Sequence, residues 1–264
     1  MLILLSPAKT LDMQTASRID VPSQPMFLDE SEKLVRTLRR FSKKKLGQLM
    51  NISDSLVELN AQRFNQWQPE NSPSNSRPAL QAFRGDVYIG LDADTLNKRD
   101  LKYAQAHLRM LSGLYGVLKP FDSIQAYRLE MGTGLKTRRG LSLYDFWGDR
   151  ITDHLNGEMQ EKGFDLVVNL ASQEYFKSVN KNKLSGSLVS PVFKDEKNGQ
   201  YKVISFFAKK ARGAMARHLI KNKADSVDAV CAFDSLGYQW DKRSSSHAQP
   251  VFVRSEKAAQ PYLA

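Results

Sequence analysis

The stretch Leu108–Met131 constrains the fold of this chain more than any other, because it joins a helical pattern to a tight turn. Apolar residues run into it at close to helical spacing, at Leu101, Ala104, Leu108 and Leu111. Two glycines that bracket two apolar residues come next, and they predict a tight turn packed against a core, formed by Gly113, Leu114, Tyr115 and Gly116. Pro120 then limits any helix that continues through it.

This order of elements is roughly the outline of a helix–hairpin–helix, a unit whose hairpin backbone approaches a nucleic-acid phosphate closely. Glycine permits the approach, and free N–H groups at a helix start bind the anion. Lys119 would add a positive charge beside the turn. The alternative is a buried corner between two helices that binds nothing. The motif is imperfect, because the glycines are three positions apart and Pro120 comes early in any second helix.

Several long segments of the chain resemble the YaaA family of peroxide-stress resistance proteins. They are ILLSPAKTLD (3–12), LSGLYGVLKPFD (111–122), YRLEMG (127–132), ASQEYFKSV (171–179) and SPVFKDEKNGQYKVISFFAKKARGAMARHLI (190–220). The resemblance implies a cytoplasmic bacterial protein that protects DNA when hydrogen peroxide and free iron coincide. It also implies a mixed helix–sheet fold peculiar to the family, a positively charged cleft, and DNA binding with a helix–hairpin–helix element. It brings no catalytic residues.

The length of 264 residues and the hydrophobic content of 41% allow a sizeable core, in one large domain or two smaller ones. Leu2–Leu5 and Leu166–Asn169 are apolar runs bounded by loop residues, so both predict buried strands. No repeat or compositional break marks a boundary, and we predict a single domain over residues 1–264. The predicted fold class is mixed α/β (α+β), with a central mixed sheet, flanking helices and a helix–hairpin–helix-like element.

The net charge of +11 favours polyanionic partners, because each phosphate contact releases counterions. A generic basic surface is the alternative. Cys231 is the sole cysteine, which excludes an internal disulfide. The apolar start Met1–Leu5 is too short for a signal peptide, and no uncharged run approaches the ~20 residues of a membrane span. We therefore predict a cytoplasmic protein that does not bind membranes.

Two segments concentrate positive charge. Phe27–Lys45 predicts an amphipathic helix with a mostly basic polar face, and a further helical stretch, Ile52–Trp67, follows it. Between Glu196 and Asp225 the chain has eight Lys or Arg and no acid. A solvated face is the plainer interpretation of such runs. We predict instead a polyanion-binding surface made of Lys209, Lys210, Arg212, Arg217, Arg128, Lys136, Arg138 and Arg139.

Metal, cofactor and catalytic motifs are missing from the sequence. The histidines, which offer no ligand spacing, are His107, His154, His218 and His247. No nucleophile elbow, dinucleotide fingerprint or P-loop occurs, so we predict no catalytic residue, metal or cofactor. The acids Asp122, Glu130 and Asp145 could do acid–base work or hold magnesium, but salt bridges to nearby arginines are the favoured interpretation.

Two polar loops follow the predicted strands, and the second of them, Ser172–Phe176, starts at a strand end where mixed sheets often bind ligands. Ser6–Thr10 follows the first strand and could contact a phosphate, although it lacks the glycines of a P-loop. The alternative is a turn whose Lys9 points to solvent. Ser172–Phe176 starts directly after the strand Leu166–Asn169.

The leading hypothesis is a non-enzymatic DNA-binding protein of the peroxide stress response, which protects DNA by binding it, by limiting free iron, or by both. It would hold the phosphate backbone of duplex or opened DNA without reading base sequence. The oligomeric state is open, with a monomer favoured. The second hypothesis is an enzyme acting on a nucleotide or nucleic acid, which would need Asp122, Glu130 or Glu174 beside the cations. An iron-sequestering protein is the third, and the poor ligand set argues against it.

Overall fold

The computed structural model describes residues 1–262 and has the mixed α/β fold that the sequence predicted. In chain order, its strands are β1 (Leu2–Leu5), β2 (Thr10–Leu11), β3 (Arg77–Pro78), β4 (Phe83–Arg84), β5 (Leu108–Ser112), β6 (Gly116–Leu118), β7 (Ser123–Ile124), β8 (Leu166–Asn169), β9 (Ser187–Val189), β10 (Val192–Lys197), β11 (Gln200–Lys202), β12 (Gln239–Trp240) and β13 (Val251–Arg254). Its helices are α1 (Leu28–Leu38), α2 (Lys43–Met50), α3 (Asp54–Gln66), α4 (Ala79–Ala82), α5 (Asp86–Leu91), α6 (Lys98–His107), α7 (Leu143–Trp147), α8 (Arg150–Lys162), α9 (Gln173–Phe176), α10 (Ser205–Lys221), α11 (Val227–Cys231) and α12 (Glu256–Ala259).

The central sheet has five strands in the order β6-β5-β1-β8-β9. β1 runs parallel to β5 and to β8, β9 runs parallel to β8, and β6 is antiparallel to β5. The chain therefore passes from β1 to β5 on one side and later crosses back to β8 on the other side. The connections of the sheet diverge between β1 and β8, which makes this boundary its topological switch point.

The two strands that the sequence predicted, β1 and β8, lie at the centre of this sheet, and the prediction is confirmed. Every residue of β1 is buried, as are Leu166, Val167 and Val168 of β8. Strands covered on both faces have continuous apolar sequences, and this is the pattern that revealed them.

A second sheet has the order β11-β10-β13-β12, with β10 and β13 parallel. Aromatic rings pack beside it at centroid distances between 5.4 and 5.8 Å, from Phe193, Phe233, Tyr238 and Phe252. A single hydrophobic cluster contains residues of both sheets. The long helix α10 adds Ala211, Met215 and Leu219 to that cluster.

The predicted helix through Leu108 and Leu111 is wrong beyond His107. The chain becomes extended at Leu108, and Leu108–Ser112 pairs with β1 as strand β5. All five residues of β5 are buried. A fully buried strand has no polar alternation, so its apolar residues continued the helical spacing of α6 by coincidence. Because β6 returns antiparallel to β5, the segment is a β-hairpin and not the predicted helix–hairpin–helix.

The predicted helix Phe27–Lys45 is two helices, α1 and α2. Ser42 separates them as the N-cap of α2, where its hydroxyl accepts the backbone N–H of Lys45. The stretch predicted as Ile52–Trp67 is α3. Two helices joined by the short turn Asn51–Ser53 therefore lie upstream of the segment in which the sequence predicted a helical hairpin.

Candidate functional site

The predicted hairpin turn lies in the protein interior. Gly113, Leu114, Tyr115 and Gly116 are all buried. The Tyr115 N–H donates to the Ser112 hydroxyl at 3.0 Å, and the indole N–H of Trp147 donates to the Gly113 carbonyl at 3.0 Å. Contact between a phosphate and this backbone would require the interior to open, so the turn serves the packing of the sheet in this conformation.

Lys119, which follows the turn, is held by an internal carboxylate. Its ammonium lies 2.8 Å from Glu158 Oε1, and the buried Arg109 contacts Glu158 Oε2 at 2.6 Å. Burial alone would raise the pKa of Glu158, but the hydrogen bonds and charges of Arg109 and Lys119 outweigh it and lower that pKa to about 2. The lysine is thus part of a salt bridge that spans the hairpin and α8.

The glycine-rich loop Gly132–Gly140 presents only part of its predicted charge. Lys136 and Arg138 are exposed. Arg139 instead binds Glu30 at 2.6 Å and lies over the Phe146 ring, 4.8 Å from its centroid. Two of the three predicted cations of this loop therefore face solvent.

The cations of α10 differ widely in accessibility. Lys209 is exposed, whereas Lys210 and Arg212 are half-buried, and burial lowers the pKa of Arg212. The Arg217 guanidinium donates to the carbonyls of Leu91 at 3.1 Å and Asp92 at 2.7 Å. The acid-free segment is consequently not a uniform basic face. Two of its exposed cations, Lys202 and Lys209, flank the start of α10, and the others are Lys197, Lys221 and Lys223.

Exposed aromatic and aliphatic residues surround that charge. Tyr201, Val203 and Phe206 expose 47%, 54% and 55% of their surface. They alternate with the exposed cations Lys202 and Lys209 along β11 and the first turns of α10. We call these five residues the β11–α10 patch. Nothing in the sequence pattern predicted that these aromatic residues would face solvent.

The helical hairpin α2–α3 carries a second basic surface that the sequence-based choice of site residues missed. The first turn of α2 is Lys43, Lys44 and Lys45, all exposed, and it contains no acid. Asn51 ends α2 in the left-handed conformation, with φ of 49°. A groove of about 630 Å³ lies between the two helices and is lined by Lys43, Lys44, Gly47, Gln48, Asn51, Ile52, Asp54, Val57 and Glu58.

The three predicted carboxylates have separate partners. Glu130 pairs with Arg128 at 3.1 Å, the kind of salt bridge that the sequence favoured. Asp145 is instead the third residue of α7 and forms a capping box with Ser142. Asp122 is buried, and its burial raises the pKa to about 6 although it accepts hydrogen bonds from Ser23 and the Lys119 N–H.

Residues 1–262 contain no group of three or more His, Cys, Asp or Glu side chains placed to hold a metal ion. His107, His154 and His218 instead pack against aromatic rings. His107 stacks against Tyr103 and Phe164 at centroid distances of 3.8 and 4.7 Å. Within the same described range, every helix is either too short or too polar to cross a membrane.

Comparison with known proteins gives consistent matches over most of the chain. The sequence model of a family described as peroxide stress protein YaaA matches residues 1–244. The UPF0246 protein of Marinomonas sp. (strain MWYL1) is 55% identical over 258 residues, which are 98% of this chain and 98% of that protein. The UPF0246 protein of Shewanella pealeana (strain ATCC 700345 / ANG-SQ1) is 53% identical over 257 residues, which are 97% of this chain and 100% of that protein. The chain therefore belongs to the peroxide stress protein YaaA family.

Proposed function

We propose that this member of the peroxide stress family is a cytoplasmic protein that binds DNA without sequence specificity and so protects it from oxidative damage. The observation that carries the proposal is the β11–α10 patch, where exposed lysines alternate with exposed aromatic and aliphatic side chains. Lysines bind the phosphate backbone of any sequence, and aromatic rings stack on bases that have left the helix.

The backbone at this patch adds to its affinity for phosphate. No side chain caps the start of α10, and its first turn contains no acid. The free N–H groups and the positive end of the helix dipole therefore follow Lys202 by three residues in the chain, and Lys209 lies about one turn into the helix. Phe206 lies on the same first turn and exposes more than half of its surface, although its ring also contacts Phe207 edge-on. This combination suits bubble or single-stranded DNA better than an intact duplex.

The α2–α3 hairpin offers a second phosphate contact. Lys43 is paired with Glu58 of α3. Lys44 and Lys45 lie at the positive end of the same helix dipole and repel that dipole and each other, at a cost of a few tenths of a kcal/mol each. An arrangement that costs stability in the free protein is reasonable where a bound anion relieves it. In this proposal α2–α3 takes the role of helical hairpin that the sequence assigned to Leu108–Met131.

The test is a series of salt titrations with duplex, single-stranded and bubble DNA. Replacing Lys202 and Lys209 with alanine removes two phosphate contacts and should reduce the log–log salt slope by about two for duplex DNA. Phe206→Ala should leave the slope unchanged but weaken bubble and single-stranded binding by roughly 1–3 kcal/mol. Lys98→Ala/Lys102→Ala removes two exposed lysines from α6 and is the matched control.

An unchanged slope and affinity in Lys202→Ala/Lys209→Ala would overturn the assignment of this patch. Loss of binding to one DNA sequence alone would contradict the absence of base readout. An iron titration with equilibrium dialysis tests the separate idea that the protein limits free iron directly. Stoichiometric iron binding by the purified chain would indicate that the protein protects DNA by removing iron rather than by covering the DNA.

A further inference from the structure

The central sheet brings two polar loops together at its topological switch point. Ser6–Thr10 leaves the carboxyl end of β1, and Leu170–Ser172 leaves the carboxyl end of β8. The Ser172 N–H donates to the Ser6 hydroxyl at 2.8 Å, and the two hydroxyl oxygens are 3.3 Å apart. In open sheets with parallel strands, ligands bind at this position because the diverging connections leave a crevice there.

A third segment, Tyr127–Gly132, closes over the same loops. Glu130 uses one carboxylate oxygen to hold Lys9 at 2.7 Å and the other to hold Arg128 at 3.1 Å. The Gly132 N–H donates to Glu174 Oε1 at 2.9 Å. Segments far apart in the sequence thus contribute two cations and two carboxylates to one sheet edge.

Three phenols line the inner side of this edge. The Tyr88 hydroxyl donates to the Ser6 carbonyl at 3.0 Å, and the Tyr127 hydroxyl lies 2.7 Å from the Ser112 hydroxyl. Tyr175, on α9, is the third. Burial raises the pKa of Tyr88, Tyr127 and Tyr175 well above the ordinary value. All three are therefore neutral hydroxyl groups across the physiological pH range.

The donors of Arg128 are only partly used. Its side chain is 18% exposed, and Nη2 binds Glu130, but the buried Nε has no hydrogen-bond partner within residues 1–262. An unpaired buried donor costs about 1–3 kcal/mol, so folding alone gives no reason to keep it. Lys9 is 60% exposed, and among the residues that the structure describes its salt bridge is with the shared carboxylate alone. The exposed Lys9 could exchange Glu130 for an anionic ligand at little cost.

We propose that this sheet edge binds a small ligand carrying both a phosphate and sugar hydroxyl groups, of the nucleotide class. Its residues, called here the sheet-edge site, are Ser6, Lys9, Arg128, Glu130, Ser172 and Tyr175. The planar guanidinium of Arg128 and the ammonium of Lys9 match a phosphate. Glu130, once released by them, accepts hydrogen bonds from ribose hydroxyls, as an acidic residue does in many doubly wound nucleotide-binding sheets.

The site is separate from the proposed DNA-binding surfaces, because none of its residues belongs to the β11–α10 patch or to α2–α3. The competing explanation is that these polar contacts only join three loops and bind no ligand, an arrangement called here a polar staple. A staple and a binding site differ in one respect that can be measured. Loss of Lys9 from a staple changes stability alone, whereas loss of Lys9 from a binding site changes affinity for a phosphorylated ligand.

Isothermal titration calorimetry of the full chain at constant potassium chloride concentration separates the two. The probes are adenosine 5′-monophosphate, thymidine 5′-monophosphate, ribose 5-phosphate, adenosine and inorganic phosphate. A nucleoside monophosphate or ribose 5-phosphate should bind more tightly than adenosine or inorganic phosphate. Lys9→Ala and Arg128→Ala should each weaken that binding at least tenfold, and Arg128→Lys should recover part of it. Lys98→Ala, on the surface of α6, should bind as the unmodified protein does.

Equal binding of ribose 5-phosphate and the nucleotides would identify a sugar phosphate as the sufficient ligand, and nucleotide-only binding would show that the base contributes. Absence of heat with every probe would overturn the proposal, as would binding that survives both Lys9→Ala and Arg128→Ala. Because Lys9 is exposed, its variant remains informative even if Arg128→Ala fails to fold. Lys202→Ala/Lys209→Ala should keep full affinity for the nucleotide while losing affinity for DNA.

Discussion

The β-hairpin β5–β6 and the helical hairpin α2–α3 reverse the chain in opposite environments. The β-hairpin reverses the chain between two buried strands, and its glycines are packed inside the protein. The helical hairpin reverses the chain at the surface. Three exposed lysines lie on its first helix, and Asn51 adopts the left-handed conformation between its helices. Glycines flanked by large apolar residues therefore marked close packing in this chain. Polar left-handed turns beside clustered cations mark the surface that an anion can reach.

Substituting the glycines of the β-hairpin should have the largest effect. A Cβ on Gly113 would lie 2.2 Å from the Leu129 carbonyl oxygen, and one on Gly116 would lie 2.8 Å from the Trp147 ring. Gly116 also has φ of 70°, which L side chains rarely adopt. Gly113→Val and Gly116→Val should each lower the free energy of unfolding by roughly 3–5 kcal/mol, measured by urea denaturation.

Two substitutions calibrate this result. Lys119→Ala leaves Arg109 on Glu158 and should cost about 1 kcal/mol. A Cβ on Gly157, in the middle of α8, meets no atom within 4 Å, so Gly157→Ala should raise stability by up to about 1 kcal/mol. Near-normal stability of both valine variants would mean that the turn is not packed as described, and would restore it as a candidate phosphate contact.

The sequence predicted the features that follow from local residue patterns and missed those that depend on strand pairing and strand order. β1 and β8 were predictable because strands buried on both faces need continuous apolar residues. β5 was mistaken for helix because the same continuity satisfies helical spacing, and only its pairing with β1 resolves the ambiguity. The sheet-edge site was visible only as two polar loops after strands. Its assembly depends on strand order, which places Ser172 beside Ser6 across 166 positions of sequence, and no local pattern encodes strand order.

Asp122 lies just beyond the β-hairpin, and its burial should make the free energy of unfolding depend on pH. Burial raises its pKa from 3.8 to about 6, so between these values the folded state holds a proton that the unfolded state has released. Its contribution to stability is fully present below pH 4 and is lost as pH rises through 6. A difference of about two pKa units corresponds to roughly 3 kcal/mol.

Asp122→Asn mimics the protonated carboxyl and removes this dependence. The variant should match the unmodified protein near pH 4 and exceed its stability by up to about 3 kcal/mol at pH 8. The measurement is the difference between the two free energies of unfolding at pH values from 4 to 8, which cancels the other titrating groups. Parallel pH curves would show that Asp122 is well solvated, and the contrast between the two hairpins would then be weaker than the burial indicates.

Substitutions in the turn of the helical hairpin should lower the free energy of unfolding less than substitutions in the β-hairpin do. Asn51 has φ of 49° and ψ of 59°, a conformation that costs an alanine about 1–2 kcal/mol and costs glycine nothing. Asn51→Ala should therefore lower stability by about 1 kcal/mol, and Asn51→Gly should be neutral within a few tenths. Urea denaturation at neutral pH distinguishes them. Equal losses in both variants would indicate that the Asn51 side chain, rather than its backbone, maintains the turn.

The smallest change in stability, and the one that most sharpens the comparison, comes from the lysines of α2. Lys44→Ala/Lys45→Ala relieves repulsion at the positive end of the helix dipole and should raise stability by about 0.5 kcal/mol. The same change should weaken binding to all DNA sequences alike and reduce the salt slope by about two if both lysines contact phosphate. Lys98→Ala/Arg99→Ala removes two exposed cations from the first turn of α6, so it should give a similar gain in stability without loss of DNA binding.

If both double variants gain stability and neither loses affinity, the α2 lysines are an ordinary solvated face. A gain in stability joined to a loss of affinity in α2 alone would mean that the helical hairpin sacrifices stability for anion binding, which the β-hairpin does not do.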